Sequence, residues 1–186
     1  MYESELAVVQ ELLPPGKAVE VGAGSGRFAA RLGIAFGIEP SRRMRALARG
    51  RGIDAVDGTA EDLPYPDASF DVVLMVTTIC FVDDLGASLR EARRVLRPGG
   101  QIVVGFVDRD SPLGRDYAAH QAENPFYAVA TLYSACELAG HLRRAGFTHL
   151  AFRQTIFTPL EEVTSTQPSM RGYGRGSFVV VRARKP

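Results

Sequence analysis

The chain has 186 residues, of which 46% are apolar and 23% are charged, and its formal net charge is +1. These values are close to the averages for soluble globular proteins and exclude an intrinsically disordered chain. The nearly neutral charge gives no whole-chain attraction to nucleic acid or to an anionic membrane. The length predicts one domain, residues 1–186, with a core of ordinary size.

The cysteine content and the N-terminal residues indicate the cellular compartment. Cys80 and Cys136 lie far apart and form no Cys-x-x-Cys motif, so we expect neither a disulfide framework nor a bound metal. Residues 1–5 are acidic and lack the basic-then-apolar order of a signal peptide. The longest apolar run, residues 72–82, is too short to span a bilayer. Together these features predict a cytoplasmic protein without a membrane segment.

The first 107 residues alternate between two hydrophobic patterns. Short apolar runs without polar alternation are typical of parallel strands covered on both faces, and the segments between them carry apolar residues at helical spacing. Strands are predicted at 17–21, 34–38, 53–56, 70–76 and 101–107, and helices at 4–13, 28–32 and 85–96, with a further helix that begins at residues 40–41. This alternation implies a parallel sheet with helices on both faces.

Details of two of these helices can also be predicted. Ser4 precedes the apolar residues of the first helix and is expected to cap its N-terminus. In the helix after the second strand, Met44, Leu47 and Ala48 are expected to form the inner face.

The alternation ends after Asp108. Residues 109–133 carry prolines, a glycine and several aromatic residues, and we expect an irregular, partly helical insertion that covers a substrate site. Ser134 and Glu137 have the spacing of a capping box, which predicts a helix that ends at Gly146. Two final strands are predicted at 148–157 and 177–184.

A glycine cluster separates the first strand from the next helix. It reads Glu20-Val-Gly22-Ala-Gly24-Ser-Gly26, a G-x-G-x-G spacing. Glycines at this place let backbone N–H groups approach a ligand closely, and the helix start favours an anionic group. The dinucleotide pattern G-x-G-x-x-G needs a glycine where this chain has Arg27, which disfavours a nicotinamide-dependent oxidoreductase.

Glu39 stands at the end of the second predicted strand, 17 residues after Gly22. A carboxylate at this place can accept hydrogen bonds from both hydroxyls of a ribose. The alternative is a surface acid that favours the dipole of the helix that follows. Its pairing with the glycine loop favours the ribose contact.

Four blocks of sequence resemble the class I S-adenosylmethionine-dependent methyltransferases, in particular the small type 11 methyltransferase domain. The blocks are Val19-Glu-Val-Gly-Ala-Gly-Ser-Gly26, Gly37-Ile-Glu39-Pro-Ser41, residues 58–71 (GTAEDLPYPDASFD) and residues 91–100 (EARRVLRPGG). The resemblance covers residues 17–107, the predicted cofactor-binding part. It implies an α/β fold with a doubly wound, mostly parallel, seven-stranded Rossmann-like sheet whose last strand is antiparallel.

The resemblance also implies the cofactor and its contacts. The methyl donor would be S-adenosylmethionine and the product S-adenosylhomocysteine. The implied binding residues are Glu20, Gly22, Ala23, Gly24, Gly26, Val76 and Thr77 around the methionyl part, Glu39 and Pro40 at the ribose, and Thr59, Ala60 and Glu61 at the adenine. Many family members carry Asp at the position of Thr59, so either Thr59 or Glu61 is expected to read the adenine.

Catalysis makes modest demands on this chain. The methyl group already sits on a good leaving group, so the protein has to align the acceptor and exclude water, and no fixed catalytic residue is required. For a hydroxyl or thiol acceptor a base helps, and the candidates are Asp108, Asp110, Tyr117, His120 and Tyr127. The alternative interpretation is that these are loop acids, packed tyrosines and a solvated histidine.

Two further features bear on the acceptor. The stretch Thr77-Thr-Ile-Cys80 lacks the Asn-Pro-Pro-Tyr-type motif of the branches that methylate DNA and protein amides, and Cys80 itself is interpreted as a small apolar filler. Five arginines lie within ten residues, at 42, 43, 45, 49 and 51. They surround apolar residues without interleaved aromatics, which favours a solvated helix face over an RNA-binding edge.

The sequence thus predicts a methyltransferase that acts on an unidentified small-molecule acceptor, as a monomer or homodimer, without a nucleic-acid or membrane partner. Two alternatives remain open at this point. One is a non-catalytic, regulatory module that binds S-adenosylmethionine or S-adenosylhomocysteine. The other is an NAD(P)-dependent oxidoreductase, which the glycine spacing disfavours.

Overall fold

The structure, a computed structural model, describes residues 1–123 and 128–186. Its helices are α1 (Tyr2–Leu12), α2 (Arg27–Leu32), α3 (Arg42–Gly50), α4 (Leu85–Val95), α5 (Pro112–Ala119) and α6 (Ala135–Arg144). Its strands are β1 (Ala18–Val21), β2 (Phe36–Ile38), β3 (Asp54–Val56), β4 (Phe70–Val76), β5 (Leu96–Val107), β6 (Thr148–Thr155), β7 (Met170–Arg171) and β8 (Phe178–Arg184). Short 3₁₀ turns occupy Gln121–Glu123 and Leu160–Glu162.

The strands form one sheet in the order β3-β2-β1-β4-β5-β8-β6-β7. Strands β1 to β5 pair in parallel, whereas β8 runs antiparallel to both β5 and β6. The predicted doubly wound sheet with an antiparallel last strand is therefore confirmed. The sequence pattern did not indicate β7, because a two-residue edge strand is too short to show hydrophobic alternation.

The sheet order reverses at β1, which pairs with β2 on one side and with β4 on the other. Helices leave the sheet in opposite directions at such a point, so a crevice opens beyond the carboxyl ends of the strands. The glycine loop follows β1 at this crevice. The topology therefore brings the ends of β1, β2 and β4 together.

Helix α1 begins earlier than predicted, and the prediction that Ser4 caps it is wrong. The carbonyl of Met1 already accepts the backbone N–H groups of Ser4 and Glu5 at 2.9 and 3.2 Å, so the first turn forms upstream of Ser4. Ser4 is buried inside the helix, where its hydroxyl accepts the N–H of Gln167 at 2.9 Å. The serine thus holds α1 against the segment between β6 and β7.

The predicted inner face of α3 is wrong for two of its three residues. Ala48 is buried, but Met44 and Leu47 are exposed. The reason is a close approach of this helix to the glycine loop: a Cβ atom added to Gly26 would lie only 3.1 Å from the Cβ of Ala48. Because the small Ala48 makes this contact, the bulkier Met44 and Leu47 lie outside the contact between α3 and the loop.

Three of the five clustered arginines fold back onto the protein. The Arg45 guanidinium donates to the Glu39 carbonyl and to the Asp57 carboxylate, each at 2.7 Å. Arg49 donates to the carbonyl of Ala55 and Arg51 to that of Ser25, both at 2.9 Å. Four of the five arginines are nevertheless exposed and only Arg45 is half-buried, in agreement with the predicted solvated helix face.

Strand β5 also starts before its predicted beginning. The structure extends it to Leu96, with a register shift opposite β4 between Phe70 and Val72. The predicted capping box of α6 is confirmed, since Ser134 and Glu137 exchange side-chain-to-backbone hydrogen bonds. The described part of residues 109–133 contains α5 and a 3₁₀ turn, in agreement with a partly helical insertion.

Two apolar clusters cover the two faces of the sheet. One includes Leu89 of α4 and Leu138 of α6, and the other includes Val9 of α1, Ala29 of α2 and Ala48 of α3. Their side chains bury β4 almost completely. Of the helices in residues 1–123 and 128–186, none combines the length and the apolar character needed to cross a bilayer.

Candidate functional site

The crevice at the carboxyl edge of the sheet contains two adjacent cavities. The first cavity has a volume of about 510 Å³ and lies between the glycine loop, the start of α1 and the end of β5. The second cavity has a volume of about 490 Å³ and lies between the ends of β2 and β3 and the loop before α4. Both share a wall made of Gly22, Val76, Thr77 and Phe81.

The glycine loop is held to the end of β2 by its backbone. The N–H groups of Gly22 and Ala23 both donate to the Ile38 carbonyl at 2.9 Å. Gly22 and Gly24 have φ angles of +71° and +54°, a region that L side chains rarely adopt. A Cβ atom at Gly22 would lie 2.4 Å from Thr78, whereas a Cβ atom at Gly24 would meet nothing within 4 Å. Gly24 therefore keeps a space open beside the first cavity.

Glu39 connects this loop to the start of α3. Its Oε2 accepts the N–H of Gly24 at 2.9 Å, and its Oε1 accepts the N–H of Ser41 at 2.8 Å. The side chain is buried and lines the second cavity next to Pro40. Because each carboxylate oxygen has a second lone pair, Glu39 can still accept hydrogen bonds from a ligand.

Glu20 is the most deeply buried acid of the crevice. It is 2% exposed, lines the first cavity and accepts the N–H of Ala29 at 2.9 Å through Oε2. Burial raises the pKa of Glu20 to about 8, against the Ala29 hydrogen bond, which lowers it, and the Glu39 charge raises it further. A cation placed beside this carboxylate would stabilise its ionised form.

Thr77 has a strained backbone in the wall between the cavities. Its φ is +52°, which is a genuine outlier for a β-branched residue. Its N–H donates to the Gly105 carbonyl at 2.8 Å and its hydroxyl donates to the Val76 carbonyl at 2.8 Å. Such strain collects at ligand sites, where the surroundings hold it in place.

The second cavity is lined by all three residues that the sequence assigns to an adenine, Thr59, Ala60 and Glu61. Glu61 also anchors the loop before α4, since its Oε1 accepts the N–H groups of Asp83 and Asp84 at 2.9 and 3.3 Å. Burial raises the pKa of Glu61, but hydrogen bonds from these N–H groups, from its own N–H and from the Thr59 hydroxyl outweigh that effect and lower it.

The proposed bases are distributed over several environments. Tyr117 of α5 lines the first cavity. Asp108 is buried just after β5 and lines neither cavity; its Oδ1 accepts the N–H groups of Asp110 and Ala135 at 3.1 and 3.3 Å. Burial raises the pKa of Asp108. Through these hydrogen bonds, Asp108 joins the end of β5 to the start of α6, which is a structural role.

His120 lies at the exposed end of α5. Its Nδ1 is 3.0 Å from the Asp116 carbonyl and 3.2 Å from the Asp116 carboxylate, and these contacts raise its pKa. Asp110 is exposed and lies 3.5 Å from the Arg109 guanidinium. Tyr127 lies outside the residues that the structure describes.

Gly26, the last glycine of the loop, has a φ of +76° and packs against Ala48 and Ile53, on the side of the loop that faces α3.

Cys80 lines the first cavity, and its thiol donates to the Thr77 carbonyl at 3.3 Å. Burial raises the pKa of Cys80 to about 11, which makes it a neutral thiol at physiological pH.

Because the stretch before the glycine loop is short, the sequence predicts that any lid comes mainly from the first helix and from residues 109–133, but it does not name Glu5 or the aromatic residues of this site. The start of α1 places Tyr2 and Glu5 on the wall of the first cavity, and Phe28 of α2, Phe106 of β5 and Tyr133 before α6 complete it. One signal was present in the sequence: Glu5 precedes Val8, Val9 and Leu12 by three, four and seven residues. That spacing places an acid on the buried face of the helix.

The residues described contain no group of three or more His, Cys, Asp or Glu side chains that could hold a metal ion. The crevice is thus built from a glycine loop, aromatic walls and five acidic residues, which are Glu5, Glu20, Glu39, Glu61 and Asp83. This donor set suits an organic ligand with cationic groups and hydroxyls.

Comparison with known proteins agrees with this geometry. Residues 19–104 match the family model described as a methyltransferase domain. A solved Thermotoga maritima protein, a SAM-dependent methyltransferase named "possible histamine N-methyltransferase", is 49% identical, with a TM-score of 0.98 over 100% of this chain and 89% of that chain. An uncharacterized protein of Methanocaldococcus jannaschii is 37% identical over 185 residues, which are 100% of this chain and 90% of the relative.

A third relative is the 27-O-demethylrifamycin SV methyltransferase of Amycolatopsis mediterranei. It is 34% identical over 155 residues, which cover 76% of this chain and 57% of the relative. From its motifs, its sheet order and these relatives, the chain belongs to the class I S-adenosylmethionine-dependent methyltransferases.

Proposed function

We propose that this protein transfers the methyl group of S-adenosylmethionine to a small-molecule acceptor bound in the first cavity. The observation that carries the proposal is the junction of Glu39 with Gly24: an acid suited to a ribose is hydrogen-bonded to the loop that leaves open space for the rest of the cofactor. Both features stand where an open α/β sheet binds its ligand.

The residues present fit this cofactor. Its methionyl part carries an ammonium and a sulfonium, and the buried carboxylate of Glu20 would hold these positive charges beside the open space at Gly24. Glu39 would accept from the ribose hydroxyls. Thr59, Ala60 and Glu61 would surround the adenine in the second cavity.

The protein contributes to the reaction by positioning the acceptor and by excluding water. The cofactor supplies a methyl group on a sulfonium, a good leaving group, so alignment of the acceptor lowers most of the barrier. The strained backbone of Thr77 fixes the wall between the two cavities. Tyr2, Phe106 and Tyr133 line the other side of the first cavity, where they would shield the bound methyl group and acceptor from bulk water.

A small acceptor agrees with the size of the first cavity, about 510 Å³, which must also take the methionyl end of the cofactor. It also agrees with the relatives, which include the Amycolatopsis rifamycin methyltransferase and a demethylmenaquinone methyltransferase of Tropheryma whipplei that is 43% identical over 96 residues. These relatives act on different molecules, so they support the class of acceptor and not its identity.

The first test is calorimetric titration with S-adenosylhomocysteine. We expect micromolar binding to the wild type, a loss of at least about thirtyfold in Glu39→Ala because two charge-assisted hydrogen-bond acceptors are removed, and no binding of NAD. The matched control is Glu162→Ala, which removes an exposed acid of the 3₁₀ turn far along the chain. Preference for NAD, or equal binding by Glu39→Ala, would reject the proposed cofactor site.

Transfer of a labelled methyl group separates the enzyme from a regulatory binding module. The protein is incubated with methyl-labelled S-adenosylmethionine and pools of small amines, alcohols, thiols and phenols. Label found in any acceptor, with stoichiometric formation of S-adenosylhomocysteine, supports an enzyme. Tight binding of the product without turnover across all pools would support the non-catalytic alternative.

A further inference from the structure

Glu5 of α1 is a buried acid that the fold does not explain. Its side chain is 6% exposed and lines the first cavity. Its Oε1 atom is fully buried and has no hydrogen-bond partner among the residues that the structure describes. A buried polar atom without a partner costs free energy, and the usual explanation in a native structure is a ligand or an ordered water.

Four charged groups border the first cavity. They are the carboxylates of Glu5 and Glu20, the guanidinium of Arg27 and the α-ammonium of Met1. The Arg27 guanidinium is exposed and lies 4.3 Å from the ring centroid of Tyr2, so it stacks at the rim. Glu5 and Glu20 are buried, whereas Met1 and Arg27 are exposed and their charges are screened by solvent, so the interior of the cavity favours a cationic ligand group. The cofactor accounts for the charges next to Glu20, and Glu5 is left for the acceptor.

The remaining wall of the first cavity is aromatic. Six rings line it: Tyr2, Phe28, Phe81, Phe106, Tyr117 and Tyr133. The faces of such rings attract organic cations, and a carboxylate among aromatic rings is a common arrangement for binding an ammonium group. Tyr2 also packs edge-on against Phe28, with ring centroids 5.0 Å apart, which fixes the start of α1 over the glycine loop.

We propose that Glu5 binds the reacting nitrogen of the acceptor and that the acceptor is therefore a small aromatic or aliphatic amine. The proposal deepens the proposed function and rests on it. It assigns a role to a helix outside the cofactor-binding blocks. The Glu5 carboxylate would bind the ammonium form of the acceptor and receive the proton that this nitrogen has to lose.

Glu5 is the only residue needed to balance the protons of the methyl transfer. An ammonium acceptor gives one proton to the Glu5 carboxylate, which leaves a neutral amine with a free lone pair. The lone pair forms the N–C bond while the S–C bond breaks and its electron pair stays on sulfur, which yields a methylated ammonium and a neutral thioether. Burial raises the pKa of Glu5 to about 7 against the charges of the Met1 α-ammonium and of Arg27, which lower it, so the carboxyl group can exchange a proton near neutral pH.

The test compares an amine with its neutral isostere in the protein loaded with S-adenosylhomocysteine. Phenylethylamine and 2-phenylethanol are titrated by calorimetry into the wild type, Glu5→Gln and Glu3→Gln. Glu3 is the matched control because it lies on the same helix, is 55% exposed and pairs with Arg31 at the surface. We expect the wild type and Glu3→Gln to bind the amine at least about tenfold tighter than the alcohol.

In Glu5→Gln this preference should fall to within about twofold, because the charge is removed while the shape stays. Methyl transfer to amines should fall by about a hundredfold or more in the same variant. Equal binding of amine and alcohol by the wild type, or an unchanged preference in Glu5→Gln, would overturn the proposal. Binding of S-adenosylhomocysteine shows that Glu5→Gln is folded, and its absence in the wild type would mean that the proposed function itself has failed.

Discussion

The carboxylate of Glu39 accepts the backbone N–H of Gly24 across a gap of 15 residues in sequence, at an Oε2–N distance of 2.9 Å. This bond joins the end of β2 to the glycine loop after β1. The same carboxylate accepts the N–H of Ser41 at 2.8 Å, so one side chain fixes the loop and the start of α3 together. The two halves of the proposed cofactor site are therefore positioned before any ligand binds, which lowers the cost of ordering on binding.

Gly24 allows a test of the open space at the loop. Gly24→Ala should lower the affinity for S-adenosylhomocysteine by about tenfold or more, since the new methyl group enters a space that the protein itself leaves empty. Gly33→Ala is the matched control: Gly33 also has a positive φ, +70°, and an open Cβ direction, but it lies at the end of α2. Both variants should lose about 1 kcal/mol of stability from the strained φ. Similar affinities in the two variants would contradict this assignment.

Glu20 should make cofactor binding depend on pH. The pKa of free Glu20 is about 8, and a bound ammonium favours the ionised carboxylate. Below pH 8 binding must therefore release a proton, so the affinity for S-adenosylhomocysteine should rise between pH 6 and 8, by at most about tenfold per pH unit. Calorimetry in buffers of different ionisation enthalpy measures the released proton directly.

Glu20→Gln should remove both the proton release and the rise in affinity. Gln keeps the shape of the side chain and can still accept from the Ala29 N–H, so the variant should fold. A wild type whose affinity does not change over this pH range would show that Glu20 is not next to the cationic part of the ligand.

Glu5→Gln should raise the stability of the protein while it lowers activity. The folded-state pKa of Glu5, about 7, lies above its ordinary value of 4.5, so the native state binds the proton more tightly than the unfolded chain. The ionised group therefore destabilises the fold, increasingly as the pH rises from about 4.5 to 7 and constantly above that. The advantage of Glu5→Gln should reach on the order of 3 kcal/mol above pH 7 and vanish near pH 4.

Chemical denaturation of both proteins at several pH values measures this difference. Glu3→Gln is again the control, and its effect should stay within about 0.5 kcal/mol at all pH values because Glu3 is exposed. Loss of stability in Glu5→Gln at pH 8 would indicate a structural role for Glu5 instead. A residue that costs stability and supports activity is typical of a functional site.

Cys80 should react slowly with alkylating reagents. Its pKa of about 11 leaves almost no thiolate at pH 7, and the thiolate is the reactive form. In a Cys136→Ser background, which removes the exposed cysteine, the rate of alkylation by iodoacetamide should still be rising at pH 10. S-adenosylhomocysteine should slow it further, because Cys80 lines the first cavity. A rate that levels off near pH 8 would contradict the raised pKa.

The sequence by itself determined the element order, the parallel sheet and the positions of the glycine loop and Glu39. These features depend on local patterns, because the side-chain periodicity of strands and helices and the turn chemistry of glycine can be read over a few residues. The capping box of Ser134 and Glu137 is predicted for the same reason, since its hydrogen bonds join residues three apart.

Only the tertiary structure decided which side chains meet across the sheet. Ser4 accepts a hydrogen bond from Gln167, 163 residues away, and so lies inside α1 instead of capping it. Met44 and Leu47 are exposed because α3 approaches the glycine loop through Ala48. The burial of Glu5 and the left-handed backbone of Thr77 likewise arise from contacts between distant segments. Local pattern fixes an element and its apolar stripe, but burial of a given side chain depends on which element packs over it.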